Sequence, residues 1–98
     1  MSYVIEYSAK AKIEITDAWE WYEYERGGLG ESFENKVYEK IHLIATNPLH
    51  YPLKRKHREA ILDKFPFLII YSFSRAKNKI LIVSVFHMSR SPKRKYRS

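Results

Sequence analysis

The 98-residue chain contains no cysteine, which excludes disulfides and thiolate chemistry. Its four histidines are scattered without paired spacing, so no zinc site is expected, and no other metal or cofactor. No apolar run approaches the roughly 18 residues that a membrane span needs. The opening Met-Ser-Tyr-Val-Ile-Glu lacks the basic and apolar regions of a signal peptide, so a soluble cytoplasmic protein without a membrane partner is expected. The length allows one small domain with a single two-layer core and excludes a second. Glycine is scarce, and its three occurrences, Gly27, Gly28 and Gly30, sit together. Acids are scarce in one half only. Residues 50–98 hold thirteen Lys or Arg against Glu59 and Asp63, a net of +11, whereas residues 1–49 hold five against nine, a net of −4. A chain this dipolar is expected to bring its second half to a polyanion or an acidic protein. The clustering of charge in KRKHR at 54–58 and RSPKRKYR at 90–97 favours an interaction surface over a merely solvated one.

Periodicity organises the rest. Tyr3, Ile5 and Tyr7 alternate with Val4 and Glu6, as in a short strand. Ser8 is placed to N-cap a helix running to about Arg26, with Ala11, Ile15, Ala18, Trp19 and Tyr22 as its buried stripe. Ile13 and Tyr24 fall on its opposite face, and Trp21 flanks the stripe. The glycines mark a tight connection to a second helix that carries Glu31 and Glu34 near its positive end and Phe33, Val37, Ile41 and Ile44 as its stripe. Asn47-Pro48 stops it, because the residue before proline avoids the α region. Two helices so closely connected form an antiparallel hairpin. An irregular basic stretch from His50 leads to three strands, expected over Arg58 to Lys64, Phe67 to Ser74 and Lys79 to His87.

With a four-residue turn at 75–78, simple alternation sets Phe67, Ile69, Tyr71 and Phe73 against Phe86, Ser84, Ile82 and Ile80 on one face. The other face joins Leu68, Ile70 and Ser72 to Val85, Val83 and Leu81. This nearly all-aliphatic face is expected to pack on the helices, leaving the aromatic face available to a ligand or closed beneath the loop 49–57. His87 falls with the aliphatic set unless a bulge near Phe86 re-aims it.

The order of elements, with the strings GGLGESF, NPLHYP, KFPFLIIY and VFHMSRSP, resembles the RelE/ParE superfamily of toxins from bacterial type II toxin–antitoxin systems. The resemblance runs from about Tyr3 to Pro92, and it is nearer to the ParE-like or plasmid-stabilisation branch. It implies an α+β fold: an N-terminal strand and an antiparallel helical hairpin packed on a twisted, mainly antiparallel sheet, with the first strand lying among the later ones. It further implies one toxin domain over 1–92, followed by a basic extension over 93–98. It implies a cognate antitoxin, acidic and encoded next door, and a cellular target that is either DNA gyrase or mRNA on the ribosome.

Each candidate residue has two readings. If the chain were a ribonuclease of this superfamily, His87, Arg90, Arg58 and Tyr96 are the residues to move protons and stabilise the scissile phosphate. Met88, standing where the ribonuclease members carry a basic residue, and Tyr96, lying beyond their usual terminal aromatic, weigh against that. Lys54, Arg55, Lys56, Arg58, Arg90, Lys93 and Arg94 form the expected surface for the target or for nucleic acid. Ile13, Trp21, Tyr24, Phe67, Tyr71, Phe73 and Phe86 are the expected antitoxin contacts, by strand addition or by a helix laid in a groove. A growth-inhibiting toxin is the leading expectation. An mRNA endoribonuclease and an inactive binding module of the same fold are the alternatives.

Overall fold

In the computed structural model, which describes residues 3–89, a single side chain ends the first strand and starts the first helix. Strand β1 (Val4–Tyr7) runs into Ser8, whose hydroxyl oxygen accepts the Ala11 N–H at 2.9 Å and thereby caps helix α1 (Ala9–Glu25). The same hydroxyl donates to the Val83 carbonyl at 2.7 Å, tying the helix start to the last strand. Helix α2 (Leu29–Thr46) buries Phe33, Val37, Ile41 and Ile44, and it ends at Asn47, ahead of Pro48. Among the described residues no helix is long and apolar enough to cross a membrane.

The glycines divide their work. Gly28 adopts φ +90°, a left-handed conformation that a side chain would strain, and so turns the chain between the helices. Gly30 lies inside the first turn of α2, where a Cβ would meet both the Trp19 carbonyl oxygen and the Glu23 Cγ at 2.6 Å. It permits the two helices to cross almost backbone to backbone. One carboxylate oxygen of Glu23 accepts the N–H groups of Gly28 and Gly30 at 2.9 Å each, satisfying donors that the start of α2 leaves open. Trp19, expected in the buried stripe, stays 37% exposed because its place at the crossing is taken by its own backbone against Gly30.

The sheet has the order β1-β5-β4-β3-β2. Strands β4 (Phe67–Ser74) and β5 (Lys79–His87) occupy the spans expected from their alternation. Strand β3 (His57–Ile61) is shorter than expected; beyond it the Leu62 N–H donates to the Phe67 carbonyl at 2.9 Å, and Lys64 takes a positive φ of 68°. Strand β2 (Leu53–Lys54), within the stretch expected to be loop, folds back on β3 with Arg55 at φ +59° in the turn. The first strand joins the later ones by pairing parallel to β5, at the edge of the sheet, and every other pairing is antiparallel.

The pairing of β4 with β5 corrects the expected faces. Phe73 opposes Ile80 and Tyr71 opposes Ile82, as alternation requires, but Ile70 then opposes Ser84, Ile69 opposes Val85, Leu68 opposes Phe86 and Phe67 opposes His87. Val83 is an extra residue, a β-bulge, and every side chain after it changes face. The helix-packed core therefore contains Phe67, Ile69, Tyr71, Ile80, Ile82 and Val85. The aliphatic residues expected there, Leu68 and Ile70, lie on the outer face with Phe86 and Val83. The aromatic face is the one that fills the space beneath Phe33 and Tyr22, with Phe33 and Phe67 ring centroids 5.0 Å apart. Full burial of one such aromatic side chain contributes about 1.5–3 kcal/mol.

Tyr71, fully buried, reaches past the core to donate its hydroxyl to the Pro48 carbonyl, which pins the loop after α2 onto the sheet. Burial pushes its phenol up to about 12.

Two outcomes test this packing. Gly30→Ala forces the helices apart, and a loss of about 1–3 kcal/mol is expected in thermal unfolding despite the helix propensity gained; an unchanged or raised melting temperature would refute the close crossing. Tyr71→Phe strands a buried carbonyl and is expected to cost about 1–3 kcal/mol at neutral pH. The folded phenol ionises above the ordinary value of 10.0, so its contribution is complete below pH 10 and fades as pH rises toward about 12. The stability gap between wild type and variant should therefore narrow over that window in alkaline denaturation curves, and a constant gap would contradict the burial.

Candidate functional site

Strand β1 stops at Tyr7, opposite Ile82, while β5 continues to His87. The outer edge of β5 beyond Ile82 is therefore uncovered by a strand, and α1 passes beside it. Two side chains of the first half answer its exposed backbone. Ser8 donates to the Val83 carbonyl, and the Glu14 carboxylate accepts the Val85 N–H at 2.9 Å. The same Glu14 oxygen accepts the Ser84 hydroxyl at 2.8 Å, so the bulge is held on both sides.

Past this clamp lies a groove of about 350 Å³ between α1 and the end of β5. Ala18, Trp21, Tyr22, Phe67 and Val85 supply its apolar surface, and Glu14, Asp17 and His87 its polar groups. The Trp21 and Tyr22 rings meet edge to face with centroids 5.0 Å apart. The His87 ring packs against Phe67 at the same separation. Its Nδ1 accepts the Ser89 N–H at 3.1 Å and lies 2.7 Å from the Ser89 hydroxyl. The ring is thus oriented by the turn that follows β5, with Nδ1 in the acceptor role. Among the described residues, no three side chains of the types that ligate metals gather where they could hold an ion.

Of the residues named for RNA cleavage, Arg58 and His87 are described, and these two stand apart. The Arg58 guanidinium donates to the Tyr51 carbonyl at 2.8 Å and the Leu49 carbonyl at 3.4 Å, so it fastens the loop that Tyr71 also holds. Arg58 opposes Tyr71 on β4, whereas His87 opposes Phe67 four residues further along. That offset is about 13 Å along the strands, and the two residues stand on strands separated by β4, about 10 Å across. Arg90, Lys93, Arg94 and Tyr96 lie outside the described residues. Lys54, Arg55 and Lys56 are exposed together at the turn between β2 and β3.

The expected antitoxin contacts separate into two groups. Ile13, Trp21 and Tyr24 are exposed along one side of α1, with Asp17 between them at helical spacing, and Trp21 reaches the groove. Phe67 and Tyr71 are core residues, Phe73 is half-buried against Tyr3, and Phe86 lies on the outer face beside Leu68. These four do not form a common docking face, because the bulge at Val83 turns Phe86 away from the others. Glu14, Asp17 and Ser84 complete the site without having been singled out in the sequence. The available signal was an acid at position 14 bordering the buried stripe of Ala11, Ile15 and Ala18, which usually denotes a solvated edge.

The whole arrangement is similar to known structures. It superposes on a chromosomal ParDE toxin–antitoxin system from P. aeruginosa with a TM-score of 0.75 and 13% identity, covering 88% of this chain and 96% of that one. It superposes on the intact E. coli RelBE toxin–antitoxin complex with a TM-score of 0.70 and 15% identity, covering 91% of this chain and 100% of that one. For the isolated E. coli RelE toxin the TM-score is 0.67 at 14% identity, with 96% and 93% covered. At such identities the likeness is one of fold, and no curated protein sequence matches the chain. Residues 5–92 match the family described as ParE toxin of type II toxin-antitoxin system, parDE. The chain belongs to the ParE toxin family and is the toxin of a type II toxin–antitoxin system.

Proposed function

We propose that this toxin arrests bacterial growth by binding its cellular target, DNA gyrase, rather than by cutting RNA, and that an antitoxin encoded beside it neutralises it. The observation that carries the reading is the separation of His87 from Arg58 together with the engagement of Arg58 by two loop carbonyls. A general base and a phosphate-stabilising cation act only when both reach the same few atoms, within hydrogen-bond distance. Here the two are held on opposite stretches of the sheet. The exposed cations Lys54, Arg55 and Lys56 are the target-facing group, since gyrase presents itself with bound DNA and a cationic turn gains from nearby phosphates. The antitoxin lies along the exposed side of α1, over Ile13, Trp21 and Tyr24, and into the adjoining groove.

Controlled expression without the neighbouring gene is expected to stop growth, and co-expression of that gene to restore it. Primer extension should then show intact transcripts, while purified toxin should inhibit supercoiling by gyrase. His87→Ala should leave the arrest in place, whereas reversing Lys54 and Lys56 to Glu should relieve it. Ribosome-dependent cleavage of transcripts that disappears in His87→Ala would overturn the proposal in favour of an endoribonuclease.

A further inference from the structure

The groove has a charge opposite to that of the molecule. The chain carries +7 overall and +11 over residues 50–98, yet the polar rim beside α1 presents Glu14 and Asp17. Asp17 makes no ion pair among the described residues. It stands one helical turn before Trp21, so its carboxylate and the indole share one side of α1. The groove also runs beside the edge of β5 that no strand covers. The Val83 carbonyl and the Val85 N–H both point away from β4, toward Ser8 and Glu14. Strand alternation sends the Val85 carbonyl and the His87 N–H to that same side, whereas the Met88 N–H turns to the β4 side and donates to the Pro66 carbonyl at 2.8 Å.

We propose that this groove is a selectivity subsite for an extended segment of the antitoxin. The segment pairs with the open edge of β5 at Val85 and His87, and it seats a Lys or Arg side chain between Asp17, Glu14 and the Trp21 ring. The inference rests on the reading of the chain as an antitoxin-neutralised toxin. Charge complementarity names the occupant. An acidic antitoxin suits the cationic second half of the toxin, but its carboxylates are repelled by this rim, so the stretch that enters the groove must carry the opposite sign. Beside an aromatic face, a cation gains from the ring quadrupole as well as from the carboxylates. An apolar neighbour two residues away would rest on the surface of Ala18, Tyr22 and Phe67, since side chains alternate along a strand. A local reversal of charge inside a large field of the other sign sets the register of a partner and rejects non-cognate ones.

The test uses the toxin in complex with the protein encoded beside it, with affinities measured by isothermal titration at two salt concentrations. Asp17→Lys is expected to weaken the complex by at least about a hundredfold and Asp17→Asn by about tenfold. Trp21→Ala should also weaken it, and Trp21→Phe should retain most of the affinity. The decisive arm reverses each Lys and Arg of the antitoxin in turn to Glu. One such variant should lose wild-type toxin and regain affinity for Asp17→Lys, and that rescue is a result no structural defect of Asp17→Lys can imitate. Circular dichroism verifies folding, and Asp17→Asn carries the test if Asp17→Lys does not fold. A wild-type complex that forms tightly but is indifferent to Asp17→Asn and Trp21→Ala would overturn this inference alone. Failure of the wild-type proteins to form any complex would overturn the proposed function and the inference with it.

Discussion

The Glu14 carboxylate holds the feature on which the rest of the molecule depends. The bulge in β5 turns the Val85 N–H to the edge that β1 leaves uncovered, and that donor would cost about 1–3 kcal/mol if it stayed dry and unpaired. Glu14 meets it with a charge-assisted bond and takes the Ser84 hydroxyl on the same oxygen, while Ser8 meets the Val83 carbonyl from the start of α1. Helix and strand are thereby registered to each other through three polar contacts at the margin of an apolar core. Everything after Val83 follows. Val85 turns into the core, Phe86 turns out of it, and His87 comes to the helix side against Phe67. Without the extra residue His87 would lie on the outer face and the groove would lose one wall.

Much of the fold was legible because local chemistry and global packing agree. Ser8 is a good cap in any context, and it caps. The Phe33, Val37, Ile41 and Ile44 stripe has one period and one face, so α2 could be placed from the sequence. The bounds of β4 and β5 follow from turn residues that tolerate little else, including Asn78 with φ +55°. The faces of the final hairpin were not legible, because both alternatives are apolar. ILIVSVF offers Ile80, Ile82 and Phe86 in one register and Ile80, Ile82 and Val85 in the other, and no glycine or proline marks the bulge. What decides is a residue seventy positions away, Glu14, which the sequence presents as one more surface acid. Arg58 was legible only as one cation of a basic cluster, because the two loop carbonyls that its Nη1 meets are brought near it by the fold and not by the sequence.

Among its described residues the protein has two surfaces of opposite sign. The short turn between β2 and β3 gathers exposed cations, and the groove beside α1 offers carboxylates and aromatic rings. In the proposed function these are separate working surfaces, one for the gyrase target and one for the antitoxin. On that proposal, their separation would let an antitoxin grip the acidic groove while its own acidic residues answer the basic half. The same strand that builds the core, β5, supplies the open edge of the groove, so the stability of the toxin and the geometry of the proposed antitoxin site rest on shared residues.

The register of β4 against β5 tests this account most directly. In the free toxin, nuclear Overhauser contacts across the hairpin should pair Ile69 with Val85 and Leu68 with Phe86, and Val83 should lack a cross-strand partner. Contacts that continue the turn-proximal register, pairing Leu68 with Val85 and Ile70 with Val83, would contradict the bulge and remove the groove with it.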